Sequence, residues 1–137
     1  MFAVTLDGYG GLEVMKWSQV DDLPAPGPGE VTVDVVAAGV NRADVMQRYG
    51  LYPPPPGASD ILGLEVSGIV ADVGGDVQDW KPGDAVCARR RLWPLISAGT
   101  VAPVVSAVVP IHDVSEAHPL LDSADTVGKV LLQVREP

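Results

Sequence analysis

Proline and glycine set the first limit on this fold. Pro24, Pro26 and Pro28 interrupt the stretch from Leu23 to Glu30, and Pro53, Pro54, Pro55 and Pro56 run consecutively before Gly57. Each proline fixes φ and removes a backbone donor, so neither stretch can continue a helix or a central strand. With 13 prolines and 15 glycines in 137 residues, the chain is cut into short segments joined by turns. That punctuation suits a turn-rich β fold better than a bundle of long helices. Hydrophobic residues make up 47% of the chain, enough for one core in one domain. Aromatics are only 5%, so Val, Leu, Ile and Ala must fill most of that core.

Between the breaks, hydrophobic period assigns the elements. Residues 2–6 and 12–20 read as two strands around the loop Asp7–Gly11. In residues 31–40 Val31, Val33 and Val35 alternate with Thr32 and Asp34, which marks a strand. The period then changes. Asn41 is a candidate helix N-cap, and Val45, Met46 and Tyr49 share one face of a helix over 41–49 that Gly50 ends. Residues 61–73 read as a long strand bent at Gly63 and Gly68. Gly74–Asp76 and Trp80–Asp84 read as turns, and Ala85–Ala88 as the start of another strand. Beyond Ala88 the pattern predicts a helix over Arg89–Ala98, an apolar β-like run over Val101–Pro110, a helix capped by Ser115 with Pro119 an imperfect fit, and a closing strand over Val127–Val134.

Charge and composition exclude several classes. The net charge is -9, a field that repels nucleic acid, and the run Arg89, Arg90, Arg91 is too short to offset it. The single cysteine, Cys87, forms no intrachain disulfide and reads as a small strand residue. No apolar run approaches the about 20 residues of a membrane helix, and the N-terminus has no signal-peptide pattern. A soluble cytoplasmic protein with no membrane partner is the expectation. One cysteine and two distant histidines, His112 and His118, do not make a zinc site by themselves.

Three segments carry a resemblance. They are Ala38–Arg48; Tyr52–Gly57 followed by Leu62–Gly68; and Val73–Val77 with Pro82–Val86. In this order and spacing they resemble the catalytic domain of the zinc-free NADPH:quinone oxidoreductase (zeta-crystallin-like) branch of the medium-chain dehydrogenase/reductase family. The tail resembles the far end of the same family through Leu92–Ile96, Val109–Ile111, Glu116–His118 and Val127–Val130. In that family a nucleotide-binding domain lies between these two pieces. Ala88/Arg89 is therefore read as a deletion junction, and residues 1–88 and 89–137 as two parts of one GroES-like domain.

The residues agree that a Rossmann domain is missing. Its Gly-x-Gly-x-x-Gly turn finds no match: Gly8-Tyr9-Gly10 is followed by Glu13 at the third glycine position, and Gly27-Pro28-Gly29 by Thr32. Residues 89–137 are too few for a doubly wound domain. The resemblance thus implies a mainly β, partly open GroES-like barrel with a few helices, completed by the C-terminal helix and strand.

It also implies a chemistry of hydride transfer from NADPH to a quinone, without a covalent nucleophile. Asn41 and Asp44 would lie near the nicotinamide and its ribose. Tyr52 would line the quinone pocket, with Tyr52 and Asn41 as the catalytic pair. Arg42 and Glu65 would support them as a buried charge pair. Zinc-dependent relatives place Cys near the position of Asn41 and His before the Glu that matches Glu65; here Asn41 and Leu64 stand there, so no metal is expected. Simpler roles compete. Asn41 is an ordinary N-cap, Asp44 suits any first helical turn, Tyr52 can pack on the prolines, and Glu65 can be a solvated strand residue. Without the missing domain, NADP(H) binding is expected to be weak or lost. The face bared by its absence invites self-association, with Leu92, Trp93 and Ile96 as candidates. A catalytically silent ligand-binding module is the alternative.

Overall fold

The computed structural model describes residues 1–87, 104–123 and 126–136. Strand β1 (Phe2–Leu6) pairs antiparallel with β2 (Met15–Gln19) in a two-stranded sheet. A second sheet holds β3 (Val31–Val40), β4 (Val66–Val73), β5 (Ala85–Cys87), β6 (Val105–Pro110) and β7 (Lys129–Gln133), in the order β5-β4-β3-β7-β6. Two short helices complete the described elements: α1 (Arg42–Arg48) and α2 (Val114–Leu120). The fold is mainly β with a few helices, and among the described residues the two sheets do not join into a closed barrel. Among the described residues one strand pair is parallel, β6 with β7, and α2 forms its crossover. The predicted helix over Arg89–Ala98, the junction at Ala88/Arg89 and the apolar residues Leu92, Trp93 and Ile96 lie outside the described residues.

The last strand ties the two ends of the chain together. β7 lies between β3 and β6, with Ala37 opposite Gln133 and Val40 opposite Val130. The core follows the same seam. Val4, Met15 and Val40 pack with Val109, Val114, Ala117, Val130 and Leu132. Its buried side chains are aliphatic apart from Met15, as the aromatic-poor composition required.

Several boundaries differ from the sequence expectation, each for a local reason. Residues 12–14 form a 3-10 turn, and only Met15–Gln19 is extended. The strand expected from Ile61 begins at Val66. Gly63 adopts a positive φ of 130°, and the Glu65 carbonyl accepts the Gly39 N–H at 2.9 Å just before the ladder starts. β3 carries register shifts between Thr32 and Val33 and between Val35 and Ala37, so its alternation does not hold along its length. The closing strand is Lys129–Gln133, shorter than Val127–Val134. The second helix starts at Val114, after a 3-10 turn over Ile111–Asp113, so Ser115 is helical and not the cap. Pro119 is accommodated near its C-terminal end, where Leu121 and Asp122 donate to the His118 and Pro119 carbonyls.

Candidate functional site

The buried face of α1 is polar. Val45 is buried as expected, but Met46 and Tyr49 are exposed; the other buried positions are Asp44, Gln47 and Arg48. A helix that turns three polar side chains inward must pair them or bear the cost. Apolar spacing alone does not reveal such a face.

At the start of α1 the pairing is dense. The Asp44 carboxylate accepts the Asn41 N–H at 2.7 Å, and Asp44 N–H donates to the Asn41 carbonyl at 3.0 Å, which fixes the chain's entry into the helix. The Asn41 side chain is held from both sides. Its Oδ1 accepts from Lys129 Nζ at 2.8 Å, and its Nδ2 donates to the Gly39 carbonyl at 3.2 Å and to Glu65 Oε2 at 3.3 Å. Lys129 Nζ also meets Glu65 Oε2 at 2.6 Å. Lys129 and Glu65 are partly buried, with side-chain exposures of 33% and 22%. Gly39 permits this packing: a Cβ there would stand 2.9 Å from Glu65 Oε2.

This corner corrects one expectation. Arg42 does not pair with Glu65. It reaches Asp122 at the surface, and Lys129 supplies the cation for Glu65. A 24-residue reach from Asn41 to Glu65 is bridged by a residue from the last strand, which local sequence cannot show. In the sequence Lys129 stands out only as part of Val127–Val130, within the C-terminal resemblance.

Asp44 itself is 3% exposed. Burial, and more weakly the Glu65 charge, push its carboxyl above the ordinary range; the Asn41 N–H, the Lys129 charge and the Gly63 N–H oppose that shift. Its Oδ1 is buried without a hydrogen-bond partner. Tyr52 lies beyond the other end of α1, whose seven residues rise about 10 Å. It is half exposed and lines a cleft of about 370 Å³ with Tyr9, Gln47, Pro53, Pro54 and Asp60. Gln47 Nε2 donates to the Asp60 carbonyl at 3.0 Å and fixes that wall. Gly50, at φ 73°, lets the Tyr9 ring lie against the backbone, 3.0 Å from where a Cβ would be. The structure thus joins Asn41 to Asp44 and sets Tyr52 on a separate wall. Tyr9, Gln47 and Lys129 are further candidates for this site.

A second buried group sits behind α1. His118 on α2 is 2% exposed, and its Nδ1 has no hydrogen-bond partner; the Nε and Nη1 of buried Arg48 are likewise unpartnered. Burial drives the His118 pKa down to about 4, the Arg48 charge adds to the shift, and Asp122 opposes it. Arg48 rests on the Tyr49 ring, 4.6 Å from its centroid. Among the described residues no three His, Cys, Asp or Glu side chains cluster as metal ligands, and no helix is long and apolar enough to cross a membrane.

Sequence and fold match a known family. The model of the alcohol dehydrogenase GroES-like domain matches residues 27–109. The chain belongs to that family, the catalytic-domain unit of the medium-chain dehydrogenases/reductases. It is 38% identical over 108 residues to the human synaptic vesicle membrane protein VAT-1 homolog, covering 78% of this chain and 28% of that protein. Quinone oxidoreductase 1 of Escherichia coli is 38% identical over 104 residues, covering 74% of this chain and 31% of that protein. The chain spans less than a third of the length of these curated relatives. Among solved structures, E. coli quinone oxidoreductase complexed with NADPH superposes with a TM-score of 0.57 at 37% identity, over 64% of this chain and 26% of that one. The human VAT-1 homolog-like protein structure gives a TM-score of 0.83 at 15% identity over 100% of this chain and 99% of that one, which speaks for the fold alone.

Proposed function

We propose that this chain is the catalytic part of an NADPH-dependent quinone oxidoreductase, joined across residues 88–89 where relatives carry a nucleotide-binding domain, and that it reduces quinones poorly or not at all alone. The observation that carries the reading is the ordered corner of Asn41, Glu65 and Lys129, in a chain similar to a quinone oxidoreductase solved with NADPH. The donor set fits the nicotinamide end of such a cofactor. An amide and an ammonium group can meet a carboxamide and ribose hydroxyls, and Asp44 serves by fixing the Asn41 backbone. The pyrophosphate end finds no glycine-rich turn leading into a helix in this sequence.

When bound, NADPH supplies the hydride. The chain's own residues would do the rest. Tyr52, with Tyr9 and the prolines, offers an aromatic and apolar wall for a quinone ring. The Tyr52 hydroxyl donates to a quinone oxygen as negative charge develops there. Lys129, already close to Asn41, adds a fixed positive charge to the cofactor side.

The test is an NADPH titration followed by NMR, with 1,4-benzoquinone added afterwards. The expected result is weak binding, with a Kd above about 100 µM, and shifts centred on Asn41, Lys129 and neighbouring amides. Quinone consumption should stay near the rate without protein. Shifts elsewhere, or none, would sink the assignment of the site; turnover at an ordinary enzyme rate would sink the claim of weak activity.

One observation favours a second reading, a self-associating module. Among the described residues β6 is an edge strand of its sheet; Val105 and Val108 on it and Val104 just before it are exposed, with Val127 beside the turn into β7. Under that reading Val108→Lys converts an associating species to monomer in light scattering; a wild-type chain that stays monomeric when concentrated would remove it.

A further inference from the structure

The cavity behind α1 is distinct from the Tyr52 cleft. It measures about 210 Å³ and opens between the β1–β2 hairpin, the larger sheet and α2. Val4, Val40 and Leu132 make its floor, and Phe2 and Trp17 stand in its wall, stacked with ring centroids 5.7 Å apart. An apolar cavity of about 150 Å³ holds one benzene, so this one holds a single substituted ring and is too small for the drug-sized ligands of typical pockets, about 300–1,000 Å³.

Two polar side chains break the apolar lining: Asp44 at 3% exposure and His118 at 2%. Asp44 Oδ1 and His118 Nδ1 are both buried and complete no hydrogen bond; the Gly63 N–H acts on the Asp44 carboxyl only from outside bonding geometry. A buried acceptor without a donor destabilises the folded chain. A ligand that donates to it regains that loss, and a hydrocarbon of the same shape does not. Neither group selects a charged ligand. A carboxylate would face Asp44, and an ammonium group would meet the positive charges of Lys129 beside Asp44 and of Arg48 beside His118.

The geometry points to a binding site for a small uncharged phenol or aromatic alcohol in this cavity, its ring on the Val4–Val40–Leu132 floor and its hydroxyl donating to Asp44 Oδ1, with His118 Nδ1 as a second polar contact. This inference does not rest on the quinone reading, because the Tyr52 cleft shares only Ile61 with the cavity lining.

The probes are p-cresol and toluene, alike in shape except for the hydroxyl, titrated into the full chain and followed by amide and methyl NMR. We expect p-cresol to saturate at about 1 mM or below and to bind at least about fivefold tighter than toluene. The shifts should fall on Val4, Val40, His118 and Leu132. Val134→Phe, which fills the cavity, should weaken both probes about tenfold. If that variant fails to fold, His118→Leu nearly keeps the bulk and removes the polar atom, and the preference for p-cresol over toluene should narrow about twofold or more. Saturating NADPH should not displace p-cresol, so loss of NADPH binding and loss of this site are separate results. Equal affinity for the two probes, shifts around Tyr52, or no saturable binding would overturn the proposal.

Discussion

Helix α1 faces two polar regions built on opposite terms. At its start, Asn41 gives its amide oxygen to Lys129 and its amide protons to Gly39 and Glu65, while Lys129 closes on Glu65. On its buried side, Asp44 Oδ1, Arg48 Nε and Nη1, and His118 Nδ1 lie deeper, away from water, and meet no partner. The first region is held in one arrangement by groups from three distant segments, so deleting any one strands the others. The second is under-satisfied, so deleting a polar group there removes a cost. Preorganisation belongs to the corner, and responsiveness to ligands and protons belongs to the cavity behind it.

The largest effect should come from breaking the corner. Lys129→Met keeps the stem and removes the ammonium from both Asn41 and Glu65. Unfolding in urea should show a loss of about 2 kcal/mol, the usual worth of hydrogen bonds to a charged group. Adding Glu65→Gln to Lys129→Met should cost less than it does in the wild-type chain, because the carboxylate has already lost its cation. Strict additivity would mean that the pair contributes nothing, and the contrast between the regions would lose its stronger half.

Acid should act next, and on the other region. The folded chain holds His118 neutral down to about pH 4, whereas an unfolded histidine takes a proton near 6.5. Below 6.5 the unfolded state therefore binds more protons. The stability tied to neutral His118 is present above pH 6.5 and falls away as pH drops toward 4. Asp44 works in the opposite sense. Its raised pKa favours the folded state in acid, a contribution lost as pH rises through its folded value. Between pH 7.5 and 5 the urea midpoint should fall, and in His118→Leu that fall should flatten. An equal fall in the variant would assign the acid response to other groups.

How far the sequence reaches follows the same division. The β-rich architecture was legible from proline and glycine punctuation, and β3, α1 and their join at Asn41 from a change of hydrophobic period. Family motifs placed Asn41, Asp44 and Tyr52 among the candidates. The polar underside of α1 was not legible. Spacing of Val45, Met46 and Tyr49 suggested an apolar face, but Gln47 and Arg48 go inward, Gln47 to hydrogen-bond the Asp60 carbonyl and Arg48 to lie on the Tyr49 ring. Glu65 takes a different cation for a related reason. The resemblance implies Arg42 as its partner, yet β7 returns Lys129 beside β3, 88 residues after Asn41. Partners brought together by strand order leave no local periodic trace.

A smaller perturbation tests how tightly the corner is packed. Gly39→Ala would place a Cβ 2.9 Å from Glu65 Oε2 and 3.0 Å from its Cδ. The backbone there tolerates alanine, and the neighbour is the end of a flexible side chain, so the cost should be about 1 kcal/mol, at the low end for overpacking. The accompanying sign is spectroscopic: amide shifts at Asn41 and Lys129, both tied to Glu65. A loss of stability without those shifts would place the strain in β3 and not in the polar corner.

The smallest change separates the two regions most sharply. His118→Leu removes a buried ring whose Nδ1 has no partner and leaves an apolar side chain of similar bulk against Val114, Ala117 and the cavity floor. Losing ring contacts destabilises; removing an unsatisfied polar atom stabilises. The two oppose each other, and at neutral pH the variant should unfold within about 1 kcal/mol of the wild-type chain, against about 2 kcal/mol lost in Lys129→Met. A loss as large as that of the lysine variant would mean that His118 is fully satisfied in solution, by ordered water or by the Arg48 side of the pocket. The region behind α1 would then be as preorganised as the corner in front of it, and the under-satisfaction on which its ligand and acid responses depend would be gone.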